Sequence, residues 1–579
     1  MIFMALLIVI TFKTFYTQLG YIKSYPNSYY VRISSIILLY AGVLSLNTFY
    51  IQAIGSGIGI YSGLFHVTQV SQMIEVIIYI TGFFILSAWP IIKNNIIKNN
   101  SYPTDYSILV LFSTLGSCLL LSTSDLISMY LSIELQSFSL YILSTLYRDS
   151  ESSTSAGLKY FLLGGLSSCI ILLGSGIIYA YTGITNFESL YSLVSITNYN
   201  YIIQGLSLGI ILIFVGLLFK ISSSPFHQWA PDVYDDTPTI VTIWLTIIPK
   251  ISILILLLEL YTQLGIIGSP SSILINTNGY VEYLYSDTTN IISESLNNLI
   301  DLQSSTMNVT NKLLLISSIL SLIIGTVVGL AQTKIKRLLA YSTISHIGFI
   351  LLSLAINSVQ SIDSLLFYII QYTITNLNIF LIIIAISYCF IKTNINNDNT
   401  HKDIKYISEL KGLFFLNPLL SLSLAICLFS MAGIPPLIGF FSKQFVLYSA
   451  VQEGYNFISI VAILASVVSA SYYLKIIKVL YTSIENEDTI SLESENNLNS
   501  KDTVPLLVSR EIQMVSSEAN KVSSLSSDYF VEKQSGTIEL TNFHSYLISL
   551  LTLSILFFIL KPNLILNSTQ LLSLSIFNF

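Results

Sequence analysis

The 579-residue chain is 53% hydrophobic and 10% charged, with a mean hydropathy of +0.73, where a soluble domain carries about 25% charged residues. This excludes a soluble globular protein and points to an all-α, polytopic membrane protein, because the long apolar runs satisfy their backbone as helices and lack the short alternation of a closed barrel. Of the net charge of −6, residues 485–539 alone hold 11 acidic against 4 basic groups, so the remainder is near neutral and offers no basic face to nucleic acid.

The chain opens on MIFMALLIVITFKTFY, which has neither a basic n-region nor an Arg-rich presequence and reads as a first span kept in the mature protein. About fourteen transmembrane helices are expected, most near the ~20 residues that cross a ~30 Å hydrocarbon layer. They divide the chain into an N-terminal three-helix segment (1–104), a first repeat (105–262), a polar insert loop (263–310), a second repeat (311–480), an acidic polar loop (481–544) and a C-terminal helix and tail (545–579). Gly55-Ser-Gly-Ile-Gly and Gly63 lie between spans and read as turn glycines, not as a phosphate loop. Cys118, Cys169, Cys389 and Cys427 are far apart, without the CxxC spacing of an iron–sulfur or zinc site, so no metal is expected.

Glu134, in SDLISMYLSIELQSFSLYIL, has no basic residue within one helical turn. A buried carboxylate needs a cation from another helix, and Lys220 is the candidate. Lys220 ends an apolar run in FVGLLFKISSSPFHQWAPDVYDDTPTIVTIWLTIIPK (214–250); a Ser-Ser-Ser-Pro break follows, and Lys250 lies deep in the next span, after Pro249. A lysine at mid-bilayer costs at least about 2.5–3.5 kcal/mol, so a buried one is read as functional. His227, beside the break, is a candidate entrance group.

His346, in AYSTISHIGFILLSL, is a candidate proton relay because imidazole titrates near neutral pH. The run 413–452 is too long for one straight helix and is interrupted by Gly433-Ile-Pro-Pro436, with Lys443 about two turns beyond the break. Each interrupted run counts as one span, because only then do the basic residues gather on one side, leaving Lys312 and Lys561 outside. Each of these residues also has a structural reading: Lys220 snorkelling to the surface, Lys250, Lys443 and Glu134 paired for packing, His346 bonding a neighbour.

Two broken helices, one in each half, predict two inverted five-helix repeats. In sequence register, Asp125 through Glu134 lies against Arg337 through His346, and Pro249-Lys250-Ile251 against Leu474-Lys475-Ile476. Moving a carboxylate toward or away from a buried lysine changes which group holds the proton, so Glu134 with a row of lysines can pass charge laterally through the membrane.

The motifs SDLISMYLSIELQSFSLYIL, LLFKISSSPFHQWAPDVYDDTPT, IIPKISIL, IKRLLAYSTISHIGFILL and FSMAGIPPLIGFFSKQF together resemble the antiporter-like membrane subunits of respiratory complex I, the proton-pumping NADH:ubiquinone oxidoreductase, and most closely the subunit 2 branch, from about Asp105 to Leu480. The resemblance implies fourteen spans with inverted five-helix repeats and a proton path over Glu134, Lys220, Lys250 and Lys443, linked by polar groups such as His346. It implies no cofactor in this chain, with NADH, FMN, iron–sulfur clusters and ubiquinone in other subunits. The partners it implies are lipid, protons and other complex I membrane subunits, among them neighbouring antiporter-like subunits and small core membrane subunits. An abundance of Ile, Leu, Asn, Ser and Tyr fits synthesis inside a mitochondrion, hence the mitochondrial inner membrane. A subunit of a Na+/H+ antiporter complex and a non-pumping structural membrane subunit are the rival readings.

Overall fold

Helix ends fall where the chain supplies caps or loses donors. Thr68 and Ser71 form a reciprocal capping box before Gln69–Ser87, the Asp125 carboxylate accepts from Ile127 N–H at 2.9 Å before Leu126–Ser144, and Gly183, at φ 70°, closes Glu151–Thr182. The computed structural model describes residues 1–18, 27–49, 57–88, 105–148, 150–196, 200–263, 290–391, 403–482 and 541–577. Among these, eleven helices are long and apolar enough to cross a membrane, and Ile2–Phe15, Tyr106–Leu121 and Pro418–Ala432 are shorter apolar helices. Among the described residues, regular structure is helical apart from a two-stranded hairpin, β1 (Ile58–Ile60) and β2 (Phe65–Val67), whose turn has Tyr61, Ser62 and Gly63 at positive φ. Cys118 and Cys427 are buried free thiols, Cys169 is an exposed one, and the Cys389 side chain lies outside the described residues.

In chain order the helices are α1 (Ile2–Gln18), α2 (Asn27–Thr48), α3 (Gln69–Ser87), α4 (Tyr106–Leu121), α5 (Leu126–Ser144), α6 (Glu151–Thr182), α7 (Phe187–Ile196), α8 (Asn200–Ile221), α9 (Trp229–Asp236) and α10 (Thr239–Gln263). There follow α11 (Asn290–Leu330), α12 (Ile335–Ile356), α13 (Val359–Ile391), α14 (Pro418–Ala432), α15 (Ile438–Gln452), α16 (Asn456–Tyr481), α17 (Asn542–Leu556) and α18 (Asn563–Phe577). The apolar windows of α10 and α12 are wholly enclosed and that of α13 nearly so, whereas α6, α16 and α17 turn most of their surface outward. A helix apolar all round belongs inside the bundle, and these three form its axis.

Two expectations need correction. The insert at 263–310 is not loop throughout: α11 begins at Asn290, because Ile291, Ile292, Leu296, Leu299 and Ile300 recur at helical spacing. Residues 264–289 lie outside the described residues, as does most of the acidic loop, 483–540. The C-terminal tail contains α18, which starts after Pro562 and buries Thr569, Leu572 and Ser573. Each half does contain one interrupted helix, and the two differ in length. α8 is a full 22 residues followed by the short α9, whereas α14 and α15 are half-length pieces of 15 residues each.

Two backbone pairings have the same pattern. Before α5, Leu126 N–H donates to Thr185 O and Phe187 N–H to Ser124 O, each at 3.0 Å, around an Asp125–Asn186 bridge. Before α12, Ile335 N–H donates to Lys405 O and Ile407 N–H to Thr333 O, also at 3.0 Å, around a Lys334–Tyr406 bridge.

Candidate functional site: a buried row of charged and polar groups

Lys220 occupies the last turn of α8, where helix carbonyls lose their intrahelical partners. Those carbonyls are met by other groups: the Ser223 hydroxyl donates to Leu218 O at 3.0 Å and the Trp229 indole to Phe219 O at 3.0 Å. The ammonium is left for Glu134 of α5, 3.9 Å away, an ion pair without a direct hydrogen bond. Both side chains are largely buried, so the snorkelling alternative for Lys220 fails. A small cavity beside the pair is lined by Lys220, Gln136, Ser137, Tyr141, Trp229 and Pro249, which carries the space to the residue next to Lys250.

Lys250 is only 2% exposed, inside α10. Its ammonium donates to the Thr343 hydroxyl of α12 at 3.0 Å and lies 5.2 Å from the centre of the Tyr234 ring. Among the described residues it forms no ion pair, so a neutral hydroxyl and an aromatic face stand where a counter-ion would. One helical turn after Thr343, His346 lies between two tyrosines, with Nδ1 2.7 Å from the Tyr368 hydroxyl and Nε2 3.3 Å from the Tyr473 hydroxyl. Each hydroxyl can donate or accept, so either neutral tautomer is satisfied.

Lys443 lies on α15 and turns back to the end of α14, donating to Met431 O at 2.8 Å and Ala432 O at 3.0 Å. The cation thereby meets the negative end of the α14 dipole. Gly433, at φ +86°, makes the approach feasible: a Cβ there would meet the Lys443 Cδ at 3.0 Å and Nζ at 3.3 Å. The Lys443 ammonium is 5.7 Å from the Phe349 ring centre, and Phe349 follows His346 on α12.

Of the five expected residues, only Glu134 and Lys220 meet directly; Lys250 and Lys443 each approach α12, which carries His346. Lys250 meets Thr343, one turn from His346, and Lys443, from α15, lies over Phe349, one turn further along α12. His227 stands apart, its ring 6.4 Å from that of Tyr341 near the break. Residues the sequence reading missed are Thr343, Tyr368, Tyr473 and Tyr372, whose hydroxyl donates to Thr246 O at 3.2 Å, one turn before Lys250. The usable signal was the spacing of Thr343 to His346 and of Tyr368 to Tyr372 within apolar helices.

A bundle with two interrupted helices and lysines buried inside it defines a membrane ion-translocation protein in architecture. The signature of the NADH:quinone oxidoreductase/Mrp antiporter transmembrane family matches residues 123–285 and 292–469, and the chain belongs to that family. NADH-ubiquinone oxidoreductase chain 2 of Rhizopus oryzae is 45% identical over 95% of this chain and 96% of its own length. NADH-quinone oxidoreductase subunit N of Pelagibacter ubique is 34% identical over 80% of this chain and 84% of its own. In fold, a chain of respiratory complex I from Thermus thermophilus superposes with a TM-score of 0.64 at 23% identity, covering 97% of this chain and 98% of that one. A chain of the Mrp complex from Dietzia superposes with a TM-score of 0.70 at 17% identity, covering 100% and 96%.

Proposed function

We propose that this chain is a core membrane-arm subunit of proton-pumping NADH:ubiquinone oxidoreductase in the mitochondrial inner membrane. Protons pass along Glu134, Lys220, Lys250, His346 and Lys443, driven by quinone reduction elsewhere in the complex. The observation that carries this reading is three ammonium groups and one carboxylate buried inside the bundle, with the Thr343 hydroxyl on Lys250 and the His346 imidazole one turn further along α12. Moving one charge against 100 mV takes about 2.3 kcal/mol, which a coupled reaction in a partner subunit supplies. NADH, FMN, iron–sulfur clusters and ubiquinone belong to those partners, and neighbouring antiporter-like and small core membrane subunits flank the chain. Fold likeness alone does not favour this over a Na+/H+ antiporter subunit; the named relatives at 45% and 34% identity do.

The same proposal reads 105–262 and 311–480 as inverted repeats, supported by the matching backbone pairings at Leu126 and Ile335. These pairings set Leu126 against Ile335 and therefore Glu134 against Thr343, three residues from the sequence register, which had set Glu134 against His346. The test is Lys250→Met in vesicles holding the intact complex. NADH-driven proton translocation is expected to fall about 10²-fold, the scale of a lost proton-transfer group, with assembly retained. Unchanged pumping would assign the chain a scaffold role, and sodium-dependent flux without NADH would assign it to an antiporter.

A further inference from the structure

At the inner end of the axis, a side chain from outside both helices joins α10 to α12. Asp403 follows α13 in a segment held beside the start of α12 by the Ile335–Lys405 and Ile407–Thr333 backbone bonds. Its carboxylate accepts from the Thr239 N–H at 2.9 Å and from the Thr239 hydroxyl at 3.2 Å, so it caps α10 from a residue distant in sequence. It also accepts from Lys336 Nζ at 2.6 Å, and Lys336, in the first turn of α12 and buried, donates in addition to Thr237 O at 2.9 Å. Burial alone would raise the Asp403 carboxyl, but the Lys336 ammonium and the Thr239 donors outweigh it and hold the group below the usual carboxylate value, so it stays charged.

We infer that Asp403 and Lys336 are positioning residues for the proton path, fixing the axial register of α10 against α12 so that Lys250 meets Thr343. The inference rests on the proposed proton path. The Asp403 bridge grips α10 at Thr239, about 16 Å along the helix from Lys250, and α12 at Lys336, about 10 Å from Thr343. Two helices held at one end by a charged knot of four hydrogen bonds and meeting again at the 3.0 Å Lys250–Thr343 hydrogen bond keep that bond only while the knot keeps their offset. A misplacement near 1 Å is enough to slow transfer between groups by up to about 10²-fold.

The test measures proton translocation and NADH oxidation per assembled complex in vesicles, for Asp403→Asn, Asp403→Glu, Lys336→Met and Thr239→Val, with Lys250→Met alongside. Asp403→Asn and Lys336→Met are expected to lower translocation per assembled complex about tenfold, and Asp403→Glu to restore at least about half of it. A merely structural role would lower the amount of complex and leave the rate per complex at the wild-type value, which would overturn the inference. Should Asp403→Asn fail to assemble, Thr239→Val, which removes only the 3.2 Å hydroxyl contact, decides the matter: about a two- to threefold lower rate per complex supports the clamp, and an unchanged rate overturns it. If Lys250→Met pumps normally, the proton path itself is wrong; if it loses pumping while Asp403→Asn does not, only the clamp is.

Discussion

Glu134 and Thr343 occupy corresponding places under the backbone pairings that open α5 and α12, yet each holds a lysine differently. Glu134 faces Lys220 across 3.9 Å with a full opposite charge, whereas Thr343 accepts one hydrogen bond from Lys250 at 3.0 Å and offers no charge. A carboxylate at about 4 Å stabilises an ammonium by roughly 1 to 4 kcal/mol between aqueous and protein-surface dielectrics. Under the proposed proton path, the difference predicts a division of labour: a site that retains a proton while its acid is near, beside one that binds and releases it. The third lysine is held in yet another way, by carbonyls at a helix end, where the attraction comes from a fixed dipole that no side-chain movement removes.

Making the two places alike breaks this arrangement most severely. Thr343→Glu would put a counter-ion against Lys250, and the same 1 to 4 kcal/mol predicts translocation slower by roughly five- to a thousandfold, read as NADH-driven proton uptake into vesicles. Retained pumping would show that the neutral partner is unimportant. Glu134→Gln makes them alike in the opposite sense, leaving Lys220 buried beside a neutral group. Breaking a buried pair costs about 3–5 kcal/mol unless the lysine gives up its proton; we therefore expect pumping to fall about tenfold or more, with Glu134→Asp recovering part of it. A smaller effect is expected for Thr343→Val, which loses a hydrogen bond to a charged group worth about 1.5–3 kcal/mol, while Thr343→Ser keeps the hydroxyl and should pump nearly normally. Gly433→Ala forces a side chain onto a φ of +86° and toward the Lys443 ammonium. It should cost about 1–2 kcal/mol, seen as a lower melting temperature of the assembled complex together with partial loss of pumping.

How much of this was legible in the sequence follows from what each group costs in a membrane. Lys220, Lys250, Lys443 and Glu134 stand out because a charge in an apolar run is expensive and therefore rare. Thr343 does not, since its hydroxyl also donates to Ala340 O at 2.8 Å, just as the neighbouring Ser342 donates to Leu339 O at 2.7 Å. A hydroxyl satisfied by its own helix costs little and is common, so only the fold reveals which one also meets a lysine. The register proposed from the backbone pairings differs from the sequence register by three residues, nearly the one helical turn that separates Thr343 from His346, and apolar periodicity alone does not distinguish neighbouring turns. Asp403 was invisible because it caps a helix that begins far from it in sequence. The polar residues from 290 onward, read as loop, instead extend α11, their helical spacing being masked by Asn, Ser and Glu.

The smallest expected effect sharpens the contrast between buried and exposed charge. Asp232 of α9 lies 3.2 Å from Lys159 and 3.3 Å from Arg337, and all three side chains are about a third or more exposed, at 36%, 52% and 38%. Water screens such pairs and the long side chains lose freedom in making them, so each is worth about 0–1 kcal/mol. Asp403 differs in accepting from a backbone N–H and from a buried lysine at once. Asp232→Asn should therefore leave NADH-driven pumping within about twofold of wild type and move the melting temperature of the complex by a few degrees at most. A loss as large as that expected for Asp403→Asn would mean that the charge network around Asp232, Lys159 and Arg337, and not the Asp403 bridge alone, sets the offset between α10 and α12.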